Sequence, residues 1–336
     1  MTGPSFGADL GAHVVTSRYW DGHWSPLRAE TRPVLALSPA TMGLHYGQCI
    51  FEGLKCHIGA DGWPRLFRPR DHATRFQASA ARLCMPTLPI DVFVEAVAWL
   101  SGLELAARPA ASLYLRPLMF ADEASIGVRP SDTYTFVVMA VPPPPPRTGG
   151  VHVWIEQRLS RAAPGGTGAV KCAGNYAAAL AGQAVAVEHG CDQVLWTDAA
   201  THRTVEELSG SNVFVVHMVG DEVELITPKL SDTVLPGITR DSILRIARSC
   251  GLTAVERDIS VDELWHLTDA VELFGTGTAA GVLPITRLTS ATRSINLGPG
   301  RIVAELRSRL AELQTGREPD RFGWLRPVEP CGSVAR

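Results

Sequence analysis

The sequence has little lysine. Of 31 basic residues only three are Lys, at positions 55, 171 and 229, and the rest are Arg. Arginine stays protonated and cannot condense with a carbonyl, so any chemistry needing an amine nucleophile has three candidates. Cysteine is sparse too: seven residues, an odd number, with no two spaced CxxC. A disulfide framework or zinc cluster is therefore not expected, and free thiols in a reducing cytoplasm fit better. The ten histidines include no HxxxH or HExxH, so nothing points to a metal site. No apolar run approaches the roughly 20 residues of a membrane span. The first ten residues lack a basic stretch followed by an apolar one, so no secretion signal is expected. The net charge of −3 leaves no general basic field for nucleic acid or anionic lipid. Neither GxGxxG after a first strand nor GxxxxGK[ST] occurs, which argues against a Rossmann dinucleotide site and an ATP-binding P-loop.

The chain does have apolar material, 46% of 336 residues, which is enough for a substantial core and excludes intrinsic disorder. Its length suits two domains or one large one. Five consecutive prolines, Pro142–Pro146, precede Arg147-Thr148-Gly149-Gly150. Such a run joins neither a helix nor a central strand and reads as a stiff connector. The expected division is a smaller N-terminal α/β domain at 1–141, a connector at 142–150 and a larger C-terminal domain at 151–336. Helices are expected at Asp71–Leu83, opened by an Asp cap, and at Asp91–Ala107, Asn175–His189, Thr239–Cys250, Val261–Leu267 and Gly300–Leu313. Strand-like text lies at Phe51–His57, Ser112–Pro117, Tyr134–Val141, Asp192–Trp196, Asn212–His217 and Val271–Phe274. The layout is α/β or α+β.

Among the lysines, Lys229 lies in a Pro-containing turn and reads as solvated, and Lys55 lies in a strand and reads as structural. Lys171 stands between the Gly-rich Pro164-Gly165-Gly166-Thr167-Gly168 and a helix, where an amine can be desolvated. Leu235-Pro236-Gly237-Ile238-Thr239-Arg240 puts Gly and backbone N–H groups at a helix N-terminus, which favours an anion. Gly275-Thr276-Gly277-Thr278-Ala279 is a second Gly/Thr loop after a strand. Each also reads as a plain turn with a helix cap or a strand end. Glu206-Glu207 is a paired carboxylate. Tyr114 and Arg116 share one face of a strand and could bind a carboxylate or form an ordinary cross-strand pair.

Taken in order, these segments resemble the branched-chain amino-acid aminotransferases of the class IV, fold type IV, pyridoxal-phosphate enzymes. The segments are LHYGQCIFEGLK (44–55), FRPRDHATRFQASAARLCMP (67–86), LYLRPLMF (113–120), APGGTGAVKCAGNYAAAL (163–180), DQVLWTDA (192–199), VEELSGSNVFVV (205–216), TPKLSDTVLPGITRDSIL (227–244) and LFGTGTAAGVLPI (273–285). The resemblance implies a two-domain α/β fold of type IV, with pyridoxal 5'-phosphate as cofactor. It implies Lys171 as the Schiff-base lysine and proton shuttle, and Glu207 as partner of the pyridine nitrogen. It implies Tyr176 at the cofactor O3′, and Arg75, Gly237, Ile238, Thr239, Gly277 and Thr278 around the phosphate. Tyr114 with the Thr278–Ala279 amides would bind the substrate α-carboxylate. Tyr46, Phe51 and Gly53 would line the side-chain pocket, and Arg116 would take the distal carboxylate of glutamate.

The implied activity is ping-pong transamination between a branched or other apolar L-amino acid and 2-oxoglutarate. It would run in the cytoplasm, in a homodimer with shared active sites, without nucleic acid, membrane or metal. The connector carries no aromatic residue, and Leu159 stands where the family often has one. Both departures leave open a non-proteinogenic or β-substituted substrate. A D-amino-acid or amine transaminase, or a lyase of the same fold, is the remaining alternative.

Overall fold

A computed structural model describes residues 6–31, 34–108, 112–145, 149–219, 222–266, 271–298 and 300–329. The chain forms two compact units. The first takes Met1–Pro144, Lys171–Ala173 and Glu312–Arg336; the second takes Pro145–Val170 and Gly174–Ala311.

The first unit is built on an antiparallel sheet. Its strands run in the order Leu325–Pro327, Pro64–Phe67, Leu54–Ile58, Ser112–Ala121, Tyr134–Val141, His13–Trp20 and His23–Trp24. Arg28–Thr31 pairs with His13–Trp20, and Cys49–Phe51 pairs with Ser112–Ala121. Two helices, Pro69–Arg82 and Ile90–Ala107, pack on this frame. The first buries His72, Ala73, Phe76, Ser79 and Ala80, a spacing of three and four that turns one face inward. Phe76, Phe93 and Phe136 form the aromatic centre, with ring centroids 5.4 to 6.2 Å apart.

The second unit carries a mixed sheet. Its order is Val205–Leu208, Gln193–Thr197, Val151–Glu156, Gly281–Thr289, Glu272–Gly277, Asn212–Val219, Glu222–Thr227 and Thr253–Glu256, with Ser294–Asn296 beside Gly281–Thr289. Val151–Glu156 runs parallel to both its neighbours. One face packs Val153, Leu195, Val213, Leu273 and Ile285 into a single apolar cluster. The other is covered by the helix Ala173–Glu188, whose Ala179 and Ala186 meet Trp154 and Trp196.

Four sequence expectations are corrected. The helix expected to open at Asp71 begins at Pro69, whose fixed φ suits a first helical position; Arg68, at φ 52°, precedes it. Asp71 lies in the first turn and holds the Arg68 guanidinium at 2.9 Å. The strand expected at Phe51–His57 breaks at Glu52 and Gly53, leaving Cys49–Phe51 and Leu54–Ile58. The Gly275–Thr278 loop is strand through Gly277, and only then turns. Gly275 is required there by packing, since a Cβ would sit 2.6 Å from the Leu208 side chain. Finally, Asn175 does not start its helix, which opens at Ala173. Its side-chain amide donates to the carbonyls of Thr167 and Val170, at 2.7 and 2.8 Å, and so fastens the Gly-rich segment to the first turn. The expected end of the short helix at Leu267 lies outside the described residues.

Candidate active site

In the first unit, the amine of Lys171 lies 4.7 Å from the ring centroid of Phe51. Its backbone is fixed on both sides. The Lys171 N–H donates to Ser79 Oγ at 2.9 Å, and its carbonyl accepts from Phe51 N–H at 3.0 Å. The Arg116 guanidinium lies 4.8 Å from the same ring, so two cations share one aromatic ring. Arg116 Nη2 donates to the Tyr114 hydroxyl at 3.3 Å, which makes the strand pair a joint donor group. Gly53 allows this: a Cβ there would stand 1.9 Å from the Tyr114 hydroxyl oxygen. Arg75 lies deep in this unit, gripped by Glu52. Tyr46 is on the surface instead, with its hydroxyl donating to the Ile126 carbonyl.

Lys55, opposite Tyr114 in the sheet, is pushed down to about 8 by burial. Lys229 is exposed and paired with Asp258 at 2.8 Å. Lys171, then, combines a tethered backbone with an aromatic floor.

In the second unit, Glu207 is a buried carboxylate with donors on each oxygen. Oε1 lies 3.0 Å from Arg161 Nη2; Oε2 accepts from Asn212 Nδ2 at 3.2 Å and from Leu235 N–H at 3.0 Å. That donor set suits the ionised form, the form that can receive a protonated pyridine nitrogen. Its neighbour Glu206 has the opposite setting. It accepts from Thr233 Oγ1, its Oε2 is buried without a partner, and burial pushes its pKa up. Asn212 links Glu207 to the phosphate-type loop by donating also to the Leu235 carbonyl at 2.9 Å. Its Oδ1 sits where a Cβ on Gly237 would be, 2.0 Å away. Gly237 is the N-cap of the helix Ile238–Ser249, so the amides of Ile238 and Thr239 open that helix, where the dipole favours an anion. Gly277 passes Ser211 Oγ so closely that a Cβ would be at 2.9 Å, and Thr278 and Ala279 form the turn that follows. Tyr176 is half-buried near the start of the helix Ala173–Glu188.

The expected residues divide between the units, with Tyr46, Phe51, Gly53, Arg75, Tyr114, Arg116 and Lys171 in the first and the rest in the second, and Tyr46 alone among them is exposed. Sequence reasoning missed Glu52, His72, Ser79, Arg161 and Asn212. None touches a substrate-type group by its own motif; four hold another side chain, and Ser79 bonds the backbone of Arg75 and Lys171. The one available signal was position, as Glu52 lies between Phe51 and Gly53 and Asn212 follows Gly210-Ser211.

The first unit offers an amine tethered over an aromatic ring; the second offers a buried, hydrogen-bonded carboxylate and a helix N-terminus. These residues fit pyridoxal 5'-phosphate, whose aldehyde, pyridine nitrogen and phosphate call for those three groups. Comparison with known proteins agrees. The family model described as amino-transferase class IV matches residues 50–288. A branched-chain-amino-acid aminotransferase of Mycolicibacterium smegmatis is 42% identical over 97% of this chain and 92% of its own. The crystal structure of the Escherichia coli branched-chain amino acid aminotransferase superposes with a TM-score of 0.80 at 27% identity, covering 95% of this chain and 100% of that one. The branched-chain amino acid aminotransferase of Thermoproteus uzoniensis, solved with norvaline, gives 0.78 at 25% identity, over 94% and 100%. The chain belongs to the class IV aminotransferase family.

Proposed function

We infer that the protein is a pyridoxal-phosphate-dependent aminotransferase for branched-chain L-amino acids, with glutamate and 2-oxoglutarate as the other pair. The observation that carries this is Phe51 with Lys171 and Arg116 over its ring and Tyr114 beside it. An apolar aromatic wall suits a branched aliphatic side chain, and the adjacent guanidinium suits a distal carboxylate.

When bound, the cofactor supplies an aldehyde for amine exchange and an electron-withdrawing ring. The residues supply the rest. Lys171 Nζ holds the cofactor and moves the proton to and from the substrate Cα. Glu207 keeps the ring nitrogen protonated, with Arg161 and Asn212 fixing its oxygens. Tyr176 bonds the ring hydroxyl. Arg75, the amides of Ile238 and Thr239, and Gly237, Gly277 and Thr278 hold the phosphate. Tyr114 with the Thr278–Ala279 amides orients the α-carboxylate, and Arg116 takes the distal carboxylate of glutamate. Gly53 completes the side-chain pocket, which Tyr46, exposed on its own chain, would join only through the second copy of the dimer.

The working form is a homodimer in the cytoplasm. Six described cysteines are unpaired, and no helix among the described residues is long and apolar enough to cross a membrane. The test is a donor panel with 2-oxoglutarate as acceptor, scored by glutamate formed. Leu, Ile and Val are expected to lead. Activity confined to D-amino acids, or to aromatic or β-substituted donors, would overturn the substrate assignment while leaving the cofactor chemistry standing.

A further inference from the structure

We propose that Glu52 is the positioning residue that aims the phosphate anchor, Arg75. The proposal rests on the reading of Arg75 as a phosphate ligand.

Glu52 is fully buried, yet both its oxygens are engaged. Oε1 accepts from Arg75 Nε at 2.7 Å. Oε2 accepts from Arg75 Nη2 at 2.9 Å, from a His72 ring nitrogen at 2.8 Å and from Gly53 N–H at 3.1 Å. The guanidinium is held as a fork along its Nε–Nη2 edge, which fixes its plane and turns the opposite edge, bearing Nη1, away from Glu52. A lysine, or a singly bonded arginine, would keep its rotational freedom. Burial raises the cost of the Glu52 charge, but Arg75 and His72 together more than offset it and hold the carboxyl well below the usual range. Burial likewise keeps His72 below its ordinary value despite Glu52. The carboxylate can only accept, so the His72 ring nitrogen donates to it, and Glu52 and Arg75 form a pair of opposite charges. Arg68, the remaining charged group facing His72, is itself committed to Asp71.

The grip continues into the backbone. One turn after Arg75, Ser79 Oγ donates to the Arg75 carbonyl at 3.0 Å and accepts from the Lys171 amide at 2.9 Å. On the other side of Glu52, Phe51 N–H donates to the Lys171 carbonyl. A single carboxylate thus lies between the residue that carries the lysine's floor and the helix that carries both Arg75 and the lysine's tether. The residues flanking it serve the same unit: Phe51 under Lys171, and Gly53 against Tyr114.

The test is equilibrium binding of pyridoxal 5'-phosphate and of phosphate-free pyridoxal to the full-length apoprotein, by fluorescence quenching, for wild type, Glu52→Gln, Arg75→Ala and His72→Gln. Glutamine offers one acceptor oxygen and turns an NH2 toward a guanidinium or an imidazole N–H. Supporting partners behind a first ligand are worth about 10- to 100-fold in affinity at metal centres. A loss of about that size is expected for the phosphorylated ligand in Glu52→Gln, with pyridoxal binding nearly unchanged. His72→Gln, which keeps a donor, is expected to fall much less. Equal losses for both ligands in Glu52→Gln would make Glu52 merely structural and overturn the proposal. So would full retention of phosphate selectivity there while Arg75→Ala loses it. Retained selectivity in Arg75→Ala would instead refute Arg75 as the anchor. Far-ultraviolet circular dichroism and unfolding midpoints identify a variant that fails to fold; Glu52→Asp, which retains the charge, then replaces it and is expected to lose phosphate selectivity partially.

Discussion

At the scale of single residues, the site depends on groups that exclude atoms as much as on groups that supply them. Gly53 is the clearest case. A methyl group there would lie 1.9 Å from the Tyr114 hydroxyl, and a tyrosine ring held in a strand cannot yield without swinging that hydroxyl away from Arg116 Nη2. Displacing a positioning group by about 1 Å costs on the order of 100-fold in rate. Gly53→Ala is therefore expected to lower kcat/KM by about that factor, with the cofactor still bound, as steady-state kinetics and cofactor absorbance would report. The two adjacent glutamates give a second case. Glu207 has a guanidinium and two N–H donors, whereas Glu206 has one hydroxyl and a buried oxygen without a partner. Burial raises the native pKa of Glu206 even though Thr233 and Arg161 oppose it. The native state then holds its proton more tightly than the unfolded chain, so stability is lost as pH rises from the ordinary carboxyl range through that raised value. Glu206→Gln is expected to raise the thermal midpoint at pH 7–8 and to leave it unchanged near pH 4. A midpoint that shifts equally at both values would contradict this sign.

At the scale of elements, the helix Ala173–Glu188 illustrates how packing overrides propensity. It contains two glycines, and glycine costs a helix about 1 kcal/mol relative to alanine. Gly174 faces open space, and Gly174→Ala is expected to stabilise the protein by about 0.5–1 kcal/mol. Gly182 faces the fully buried Trp196, whose ring carbon would lie 2.4 Å from an added Cβ. Overpacking of this kind costs about 1–3 kcal/mol, which exceeds the helix gain. Gly182→Ala is expected to be destabilising, so the two variants should move the unfolding midpoint in opposite directions.

The same contrast marks what could be read in advance. Helices and strands rich in apolar residues, such as Ile90–Ala107 and Tyr134–Val141, were legible, because composition and burial coincide there. Lys171 and Glu207 stood out through the ordered set of segments that carries the resemblance, since neither short motif alone separates a site from a turn or a solvated pair. The break at Glu52–Gly53, the strand through Gly275–Gly277 and the roles of Glu52, Arg161 and Asn212 were not. Each is set by a partner far away in sequence: Tyr114 for Gly53, Leu208 for Gly275, Arg75 for Glu52. No local window holds both members of such a pair.

At the scale of the whole molecule, the first unit leaves an apolar surface that its own fold does not cover. Leu44 is 66% exposed, Ile126 72% and Val128 87%. These residues belong to two segments that the chain ties together. Ser125 N–H donates to the Ala40 carbonyl at 2.9 Å, and the Tyr46 hydroxyl donates to the Ile126 carbonyl. Glu123 fixes the second segment further, accepting from Arg129 Nη1 and Nη2 and from the Asp132 amide. Apolar groups displayed on a loop held this firmly are prepared for burial, because little ordering entropy remains to be lost on association. The second copy proposed for this enzyme is the occupant that fits, and Tyr46, expected at the substrate pocket, would then belong to a site completed by that copy. Ile126→Glu combined with Val128→Glu places two charges in the contact. Sedimentation velocity at micromolar concentration is expected to find wild type at twice the chain's mass and the double variant at the monomer mass. If the sites are shared, activity falls with dissociation and returns at higher protein concentration. A wild-type monomer with full activity would remove both the dimer and the shared role of Tyr46, leaving the chemistry at Lys171 untouched.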